Sequence, residues 1–283
     1  MLIPSFLLAP IQEAAHAAEQ VHAQPKGGDI FTELYKHVLP HQEGAIEIAG
    51  KQIPYFQLQY FQVGAVLFIL LAFGWALLGL RSKRPNKVQR ILIGFVMWVR
   101  DEMVFPILGH HHGQQLLPYF LSLFFFIAVS NLAGLFPGGA TPTASIFVTA
   151  GLASLTFLMI VVGGMIAQGP IKFWLNLVPH GVPLFIWPIM FVVELIGLAV
   201  KPVALTIRLF ANMTGGHLVV LSFMGLIFFF AESIHAAAYG VAVPAVGLAV
   251  FIMIIEAFVA LLQAYIFTLL SINFVGASLH PEH

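Results

Sequence analysis

Several polar side chains in the C-terminal third of the chain are of types that can carry, exchange or repel an ion. They are Glu194, Lys201, Arg208, Asn212, His217, Glu256 and Gln263. Arg208 is the most demanding, because a charge at bilayer depth costs roughly 2.5–3.5 kcal/mol and a guanidinium stays protonated at any working pH. A chain that keeps this residue in a long apolar run must either pair it or use it.

The composition indicates an integral membrane protein. Hydrophobic residues make up 60% of the 283 residues and charged residues only 8%, whereas soluble domains carry about 25% charged residues. The apolar runs are long and lack the alternation of barrel strands, so helices are predicted. We expect an all-α integral membrane protein with five to six membrane helices, a long, steeply tilted C-terminal helix hairpin and one interfacial amphipathic helix.

Composition also narrows the cofactors and partners. The zero net charge argues against nucleic acid as a partner. The absence of cysteine excludes disulfides and thiolate metal sites. The chain has no glycine-rich phosphate loop followed by Lys and Ser/Thr, so we predict no nucleotide site, no other cofactor and no metal.

The polar residues of the first long C-terminal helix fall on one stripe. Glu194, Lys201 and Arg208 are seven residues apart, a spacing that drifts by about 20° per step on a helix, and Asn212 follows Arg208 by one turn. A neighbouring stripe of small residues permits the close approach of another helix. That stripe consists of Gly197, Ala204 and Ala211.

The last helix repeats the spacing with Glu256 and Gln263. An antiparallel hairpin turning near residue 236 brings His217 beside Glu256 and Arg208 beside Gln263. Glu194 then lies about 21 Å along the helix from Arg208, towards the inner end.

These polar groups allow more than one interpretation. Taken singly, His217 and Gln263 are more often buried structural contacts. As a set, intramembrane ionisable residues usually mark an ion or proton path, and a His–Glu pair can exchange protons near neutral pH. The alternatives are a secondary transporter or ion channel with a midplane arginine site, for which we find no internal repeat, and a non-transporting membrane scaffold.

The N-terminal half must supply the remaining membrane helices. Residues 1–56 are predicted to be an extramembrane segment on the outer side with at most one short helix, and the apolar stretch Ile3–Ala9 resembles a signal peptide only weakly. Residues 57–80 form the first span of a membrane domain covering 57–283. Five basic residues in 81–90 place the following loop inside, so the N-terminus is outside and the C-terminus cytoplasmic.

Residues 91–109 read as an amphipathic helix lying along the inner interface. The run His110–His112 invites a metal interpretation, but consecutive residues do not share a helix face, and a polar loop is favoured. Two hairpins follow. The first pairs helices 116–136 and 144–168, and the second, which carries the ion path, pairs 173–231 and 241–276, with an outer turn at Glu232–Pro244 and a polar tail from Asn273.

Three segments resemble subunit a of F-type ATP synthases. Lys201-Pro-Val-Ala-Leu-Thr-Ile-Arg208-Leu-Phe-Ala-Asn212-Met is similar to the arginine motif of that family, and Leu261-Leu-Gln263-Ala-Tyr-Ile-Phe267 resembles the glutamine motif of its last helix. Asn131-Leu-Ala-Gly-Leu-Phe-Pro137 fits its third helix. The resemblance covers roughly residues 55–276.

The resemblance implies a non-catalytic, proton-translocating stator subunit of a rotary motor in the bacterial inner (plasma) membrane. Its partners would be a ring of c subunits with one mid-membrane carboxylate each, the peripheral-stalk b subunits, the remainder of the ATP synthase, and membrane lipid. Two offset aqueous half-channels would lead protons to the ring and away from it.

The family's site residues carry over position by position. Arg208 matches the arginine between the half-channels, with Gln263 as its neighbour and Asn212 beside them. Glu194 matches an inner-side acid. His217 and Glu256 stand where the best-known bacterial relatives have Glu and His, so the pair is kept but exchanged. Gly134 stands where some relatives carry Asp, and no acidic role is expected there.

Overall fold

The computed structural model describes residues 42–48, 51–81, 85–135, 141–178, 181–183, 185–233 and 235–279. Residues 1–41, with the stretch Ile3–Ala9, lie outside the described part, as do residues 136–140 between the predicted helices 116–136 and 144–168. The elements are β1 (Gln42–Ile48), β2 (Lys51–Phe56), α1 (Gln57–Arg81), α2 (Lys87–Trp98), a π-helical segment (Val99–Val104), α3 (Phe105–Ala133), a 3-10 turn (Pro142–Ala144), α4 (Ile146–Gln168), α5 (Pro170–Leu175), α6 (Trp187–Ser233) and α7 (His235–Leu279).

The predicted all-α membrane architecture is confirmed. Five helical stretches of the described chain are long and apolar enough to cross a membrane, and in each most of the apolar window is left uncovered by the rest of the chain. They are 58–81, 87–133, 146–168, 187–223 and 243–279. Side chains that face lipid need no protein partner, so large exposed apolar residues are expected on such helices.

The segment before α1 differs from its prediction. Its described part is an antiparallel β-hairpin in which Ile46 pairs with Ile53 and Glu47 with Gln52. No strand is predicted here from the sequence, and residues 10–41, where a short helix was allowed, lie outside the described part. Alternation of apolar and polar residues is typical of a strand. In this segment the alternation is weak, and the polar composition is equally typical of an irregular segment.

Gln89 docks α2 against α1. Its side chain is 5% exposed, and its Nε2 donates to the carbonyl of Trp75 at 2.9 Å while its Oε1 accepts from the backbone N–H of Asn86 at 2.7 Å. Space for it comes from Gly79, where an added Cβ would lie 2.3 Å from Oε1. A buried amide with partners on both sides costs little and fixes the crossing of the two helices.

The polar loop predicted at Gly109–Gly113 is wrong. The structure continues from α2 through the π-helical segment into α3, and Gly109, with φ 69° and ψ 176°, is the kink within α3. His110–His112 form the helical turn after it. Among the described residues, no group of three His, Asp or Glu side chains is placed to hold a metal ion. Glycine tolerates this positive φ without a Cβ clash. A single residue therefore changes the direction of the helix, at the place where a loop was expected.

The connection between α4 and α6 also differs from its prediction. α5 follows Gly169 (φ 94°) and tucks Phe173 against Gly164, where a Cβ would lie 2.4 Å from the Phe173 ring. The long helix begins at Trp187 rather than at 173. Pro183 and a positive φ of 88° at Gly181 interrupt the apolar run, because proline lacks a backbone donor.

The last two helices are a very long antiparallel hairpin of 47 and 45 residues. α6 ends at Ser233 and α7 begins at His235. The connection lies within the predicted turn Glu232–Pro244 but is much shorter, and Pro244 lies inside α7. α7 continues to Leu279, which shortens the predicted tail. At 1.5 Å per residue each helix is about 70 Å long, more than twice the roughly 30 Å hydrocarbon core.

The core lies between α3, α4, α6 and α7. Its fully buried large side chains come from all four helices and from the π-helical segment, and include Val99, Met103, Val104, Leu108, Phe120, Ile127, Ile160, Leu205, Leu209, Met213, Phe267 and Ile272. Trp98 links α2 to this core by stacking on Tyr265 at 5.7 Å between ring centroids. The core fixes one face of α6 and leaves the opposite face of that helix uncovered.

Candidate functional site

The hairpin brings the polar residues of α6 and α7 together in one register. Nδ1 of His217 lies 3.9 Å from Oε1 of Glu256. Five residues before His217 on α6, Nδ2 of Asn212 donates to Oε1 of Gln263 at 3.0 Å. Further on, the Lys201 ammonium lies 5.2 Å from the centroid of the Phe274 ring. Contacts at three levels indicate a continuous antiparallel interface.

The His217–Glu256 pair is partly enclosed. The side chain of Glu256 is 7% exposed and that of His217 is 24% exposed. Glu256 occupies space left by Gly216, since a Cβ there would lie 2.4 Å from the carboxyl Oε1. An imidazole and a carboxylic acid at this separation can exchange a proton after a small side-chain movement or through one water.

The far side of His217 is held by the turn between α3 and α4. Nε2 of His217 lies 2.7 Å from Oγ1 of Thr141, a residue that is 3% exposed. Gly134 makes this possible, because a Cβ on it would lie 1.5 Å from that oxygen. The two ring nitrogens therefore have different partners, one a hydroxyl and the other a carboxyl.

A second buried contact fastens the same turn to α7. Thr143 donates to Oδ1 of Asn131 at 2.5 Å, and Nδ2 of Asn131 donates to the carbonyl of Ala260 at 3.2 Å. Asn131 and Thr143 are 1% and 0% exposed. Both polar groups of the amide are thus satisfied, which locks α3, the turn and α7 together.

Arg208 lies on the uncovered face of α6. The residue is exposed, and its neighbours Val203 and Ile207 are 53% and 56% exposed, whereas Leu205 and Leu209 point into the core at 2% and 0%. Among the residues that the structure describes, no hydrogen bond or ion pair reaches the guanidinium. This cation therefore faces outwards from an apolar surface, available to a group on another molecule.

The predicted contact of Arg208 with Gln263 is replaced by the contact of Asn212 with Gln263. The glutamine is 2% exposed, and its Nε2 has no hydrogen-bond partner in the described chain. The actual register is shifted by about one helical turn from the predicted one at this level, so Gln263 lies level with Asn212 and Arg208 stands one turn further along α6.

Glu194 stands apart from the other groups. It is half-buried on α6, and within the described part of the chain no hydrogen bond or ion pair joins it to Arg208 or Lys201. The sequence placed Glu194 towards the opposite end of the helix from His217, and the single unbroken α6 keeps that order.

Sequence reasoning missed Thr141, Thr143 and the spatial roles of Gly134 and Gly216. The two threonines follow a Pro-Gly-rich stretch and have no periodic relation to the residues they contact. A signal was nevertheless present in the paired glycines Gly215 and Gly216, directly before His217, since glycine inside a helix costs stability and often marks a close approach.

The register can be tested with introduced cysteines, because the chain has none of its own. His217→Cys with Glu256→Cys should form an oxidative cross-link, since the two side chains are in contact. The matched pair His217→Cys with Leu270→Cys should not, because position 270 lies about 21 Å further along α7. A protease site is placed in the connection between α6 and α7, and a cross-linked chain stays in one piece on a gel after cleavage. A cross-link between positions 217 and 270, with none between 217 and 256, would contradict the hairpin.

The chain is similar to ATP synthase subunits along most of its length. Residues 60–276 match the family described as "ATP synthase A chain". "ATP synthase subunit a 2" of Chlorobaculum tepidum is 35% identical over 298 residues, covering 99% of this chain and 82% of the relative. "ATP synthase subunit a" of Pelodictyon phaeoclathratiforme is 37% identical, covering 97% and 83%, and that of Myxococcus xanthus is 42% identical, covering 68% and 61%.

Proposed function

Because the chain belongs to the ATP synthase A chain family, and is thus a multi-pass membrane stator subunit of an F-type ATP synthase, we propose that it forms two offset proton half-channels separated by Arg208. The partners in this proposal are a ring of c subunits, each with one mid-membrane carboxylate, and the peripheral-stalk b subunits. The location is the bacterial inner membrane, with the N-terminus outside and the C-terminus cytoplasmic.

The observation that carries the proposal is the outward-facing, unpaired guanidinium of Arg208. The described part of its own chain supplies no counter-charge, and the surrounding surface of α6 is apolar. A cation in such a place is costly in lipid. A carboxylate presented by a neighbouring subunit would remove that cost, and would do so only while the carboxylate stands opposite Arg208.

This arrangement supports electrostatic gating. A ring carboxylate surrounded by lipid is protonated, since burial disfavours its charged form, and a nearby cation favours ionisation. Each carboxylate that reaches Arg208 would therefore release its proton. The permanent positive charge also repels a free proton, which opposes a direct leak between the half-channels.

The pair His217–Glu256 is suited to the outer half-channel and Glu194 to the inner one. The pair lies on one side of Arg208 along α6 and Glu194 on the other. An imidazole can accept and release a proton, and His217 contacts Glu256, so the two can pass a proton in either direction. Asn212 and Gln263, joined by a hydrogen bond, lie between these ends and hold the helices together one turn from the arginine.

The small residues beside Arg208 suit a helix of a partner subunit. Ala204 and Ala211 are exposed, and a Cβ added at Gly197 would meet nothing within 4 Å. The stripe is therefore open along the described chain. Small residues permit close approach of helix backbones, which would bring a ring carboxylate within reach of the guanidinium.

Cross-linking to the ring tests the proposal. Ala211→Cys carrying a photoreactive maleimide should cross-link to a small, ring-forming subunit in membranes that hold the whole complex. Gly151→Cys is the matched control, because it is exposed on α4 and a Cβ there would meet nothing within 4 Å. Purification should also bring down the ring together with a soluble ATPase. A chain that purifies without either, with Ala211→Cys capturing only lipid, would overturn the proposal and favour an independent transporter.

A further inference from the structure

We propose that Thr141 is a positioning residue for proton transfer, which holds Nε2 of His217 so that Nδ1 faces Glu256. The inference rests on the proposed function, because it assigns a role within the proposed proton path. Its carrying observation is the contact of 2.7 Å between Oγ1 of Thr141 and Nε2 of His217, opposite the contact of Nδ1 with Glu256.

The hydroxyl is held in place by the turn that carries it. The carbonyl of Thr141 accepts a hydrogen bond from the backbone N–H of Ala144 at 3.0 Å, and the ring of Pro142 fixes the φ angle of Pro142 itself, directly after Thr141. Thr143 of the same turn is bonded to buried Asn131, which is bonded in turn to α7. The Thr141 oxygen is therefore fixed relative to both α3 and α7.

The space for this oxygen is reserved by Gly134. The backbone of Gly134 has φ −71° and ψ −16°, a conformation open to any residue, so conformational freedom does not explain the glycine. Space does, because a Cβ there would lie 1.5 Å from Oγ1 of Thr141 and 3.1 Å from Nε2 of His217. The absent side chain is what lets hydroxyl and imidazole meet.

A hydroxyl suits a histidine that changes its protonation state. It can donate to a bare ring nitrogen or accept from a protonated one by rotating its hydrogen. The imidazole can thus receive or release a proton at Nδ1, on the Glu256 side, while Nε2 stays satisfied in every state. An aliphatic residue at position 141 would leave Nε2 unpaired, and most severely when the ring is protonated and both nitrogens are donors.

Few ionisable groups surround this contact. Within the described residues, the ionisable group that contacts His217 is Glu256 of α7, and the turn before α4 presents the hydroxyl of Thr141. A change in the pH dependence of transfer through His217 on altering Thr141 would therefore report on this hydrogen bond.

The test compares Thr141→Val with Thr141→Ser in membranes holding the whole complex. Valine keeps the shape and removes the hydroxyl. We expect slower ATP-driven proton pumping at neutral pH and a pH of half-maximal pumping lowered by about half to one unit, because a lost hydrogen bond penalises the protonated ring. Thr141→Ser keeps the hydroxyl, so its pumping rate at neutral pH and its pH of half-maximal pumping should both match those of the wild type. Thr149→Val is the matched control, since Thr149 is also buried but donates only to the backbone carbonyls of Ser145 and Ile146, at the start of α4.

A double-mutant cycle separates positioning from packing. If Thr141 acts through His217, then Thr141→Val should add no loss to that of His217→Ala. Gly134→Ala, which displaces the hydroxyl without removing it, should shift the pH profile in the same direction. Assembly is followed by the amount of ring retained with the complex.

The outcomes distinguish the two proposals. A wild-type pH profile in an assembled Thr141→Val complex, with pumping lost in His217→Ala, would overturn the role of Thr141 and leave the proton path standing. Additive losses in the cycle would likewise overturn it. Wild-type pumping in His217→Ala would instead contradict the proposed path itself.

Discussion

Arg208→Ala should reduce ATP synthesis and ATP-driven proton pumping to background. The reason is electrostatic: without the guanidinium, a ring carboxylate opposite α6 has no cation to favour its ionised form and keeps its proton. Because Arg208 is exposed and unpaired within the described chain, its removal should leave the subunit's stability nearly unchanged, as is usual for surface substitutions. The measurements are ATP synthesis and acidification in inverted membrane vesicles.

Two further variants sharpen this prediction. Arg208→Lys should restore little activity, because a flexible ammonium lacks the rigid, weakly hydrated fork of a guanidinium. Lys172→Ala is the control, since Lys172 is an exposed basic residue on α5 outside the site. Vesicles with Arg208→Ala that make ATP at the wild-type rate would refute the electrostatic gate.

Gly216→Ala should lower proton pumping by about tenfold or more, the scale expected when a functional group is displaced by about an ångström. The added Cβ would lie 2.4 Å from Oε1 and 2.7 Å from Cδ of Glu256. The carboxyl has to move, and at 7% exposure it has little free volume to move into. The His217–Glu256 contact should break while the helices stay packed, since only the flexible end of one side chain is displaced.

Gly151→Ala is the control for this prediction. It makes the same change inside another membrane helix, at a site where a Cβ meets nothing within 4 Å, so it should pump normally. Passive proton conduction in membranes stripped of the soluble ATPase should fall with Gly216→Ala and not with Gly151→Ala. Equal rates in the two variants would show that the position of the Glu256 carboxyl does not limit transfer.

The sequence was sufficient to predict the elements governed by hydrophobicity and spacing. Long apolar runs identify the membrane helices, and an antiparallel hairpin turning near residue 236 predicts the observed contact of His217 with Glu256. The level of Gln263 was misjudged by about one turn. A hairpin turning near residue 236 makes Arg208 and Gln263 nearly level, whereas the glutamine side chain contacts Asn212 one turn away. Proline was read as a break, although Pro244 lies inside α7.

The remaining features depend on contacts that no local pattern encodes. The hydroxyl of Thr141 reaches His217 across 76 positions of sequence, and its presence there depends on an absent side chain at Gly134. The hairpin before α1 carries a weak alternation that competes with a polar composition. The kink at Gly109 could not be predicted without its backbone angles, because an isolated glycine before three histidines is equally typical of a loop.

The ammonium of Lys201 rests on the Phe274 ring of its own chain, whereas the guanidinium of Arg208 has no such support in the described chain. The two cations of α6 are therefore unequal, although they lie only about 10 Å apart along the helix. If ring carboxylates pass this helix, they meet one cation that already has an aromatic partner and one that has none in the described chain. We therefore expect Arg208 to attract a passing carboxylate more strongly than Lys201 does.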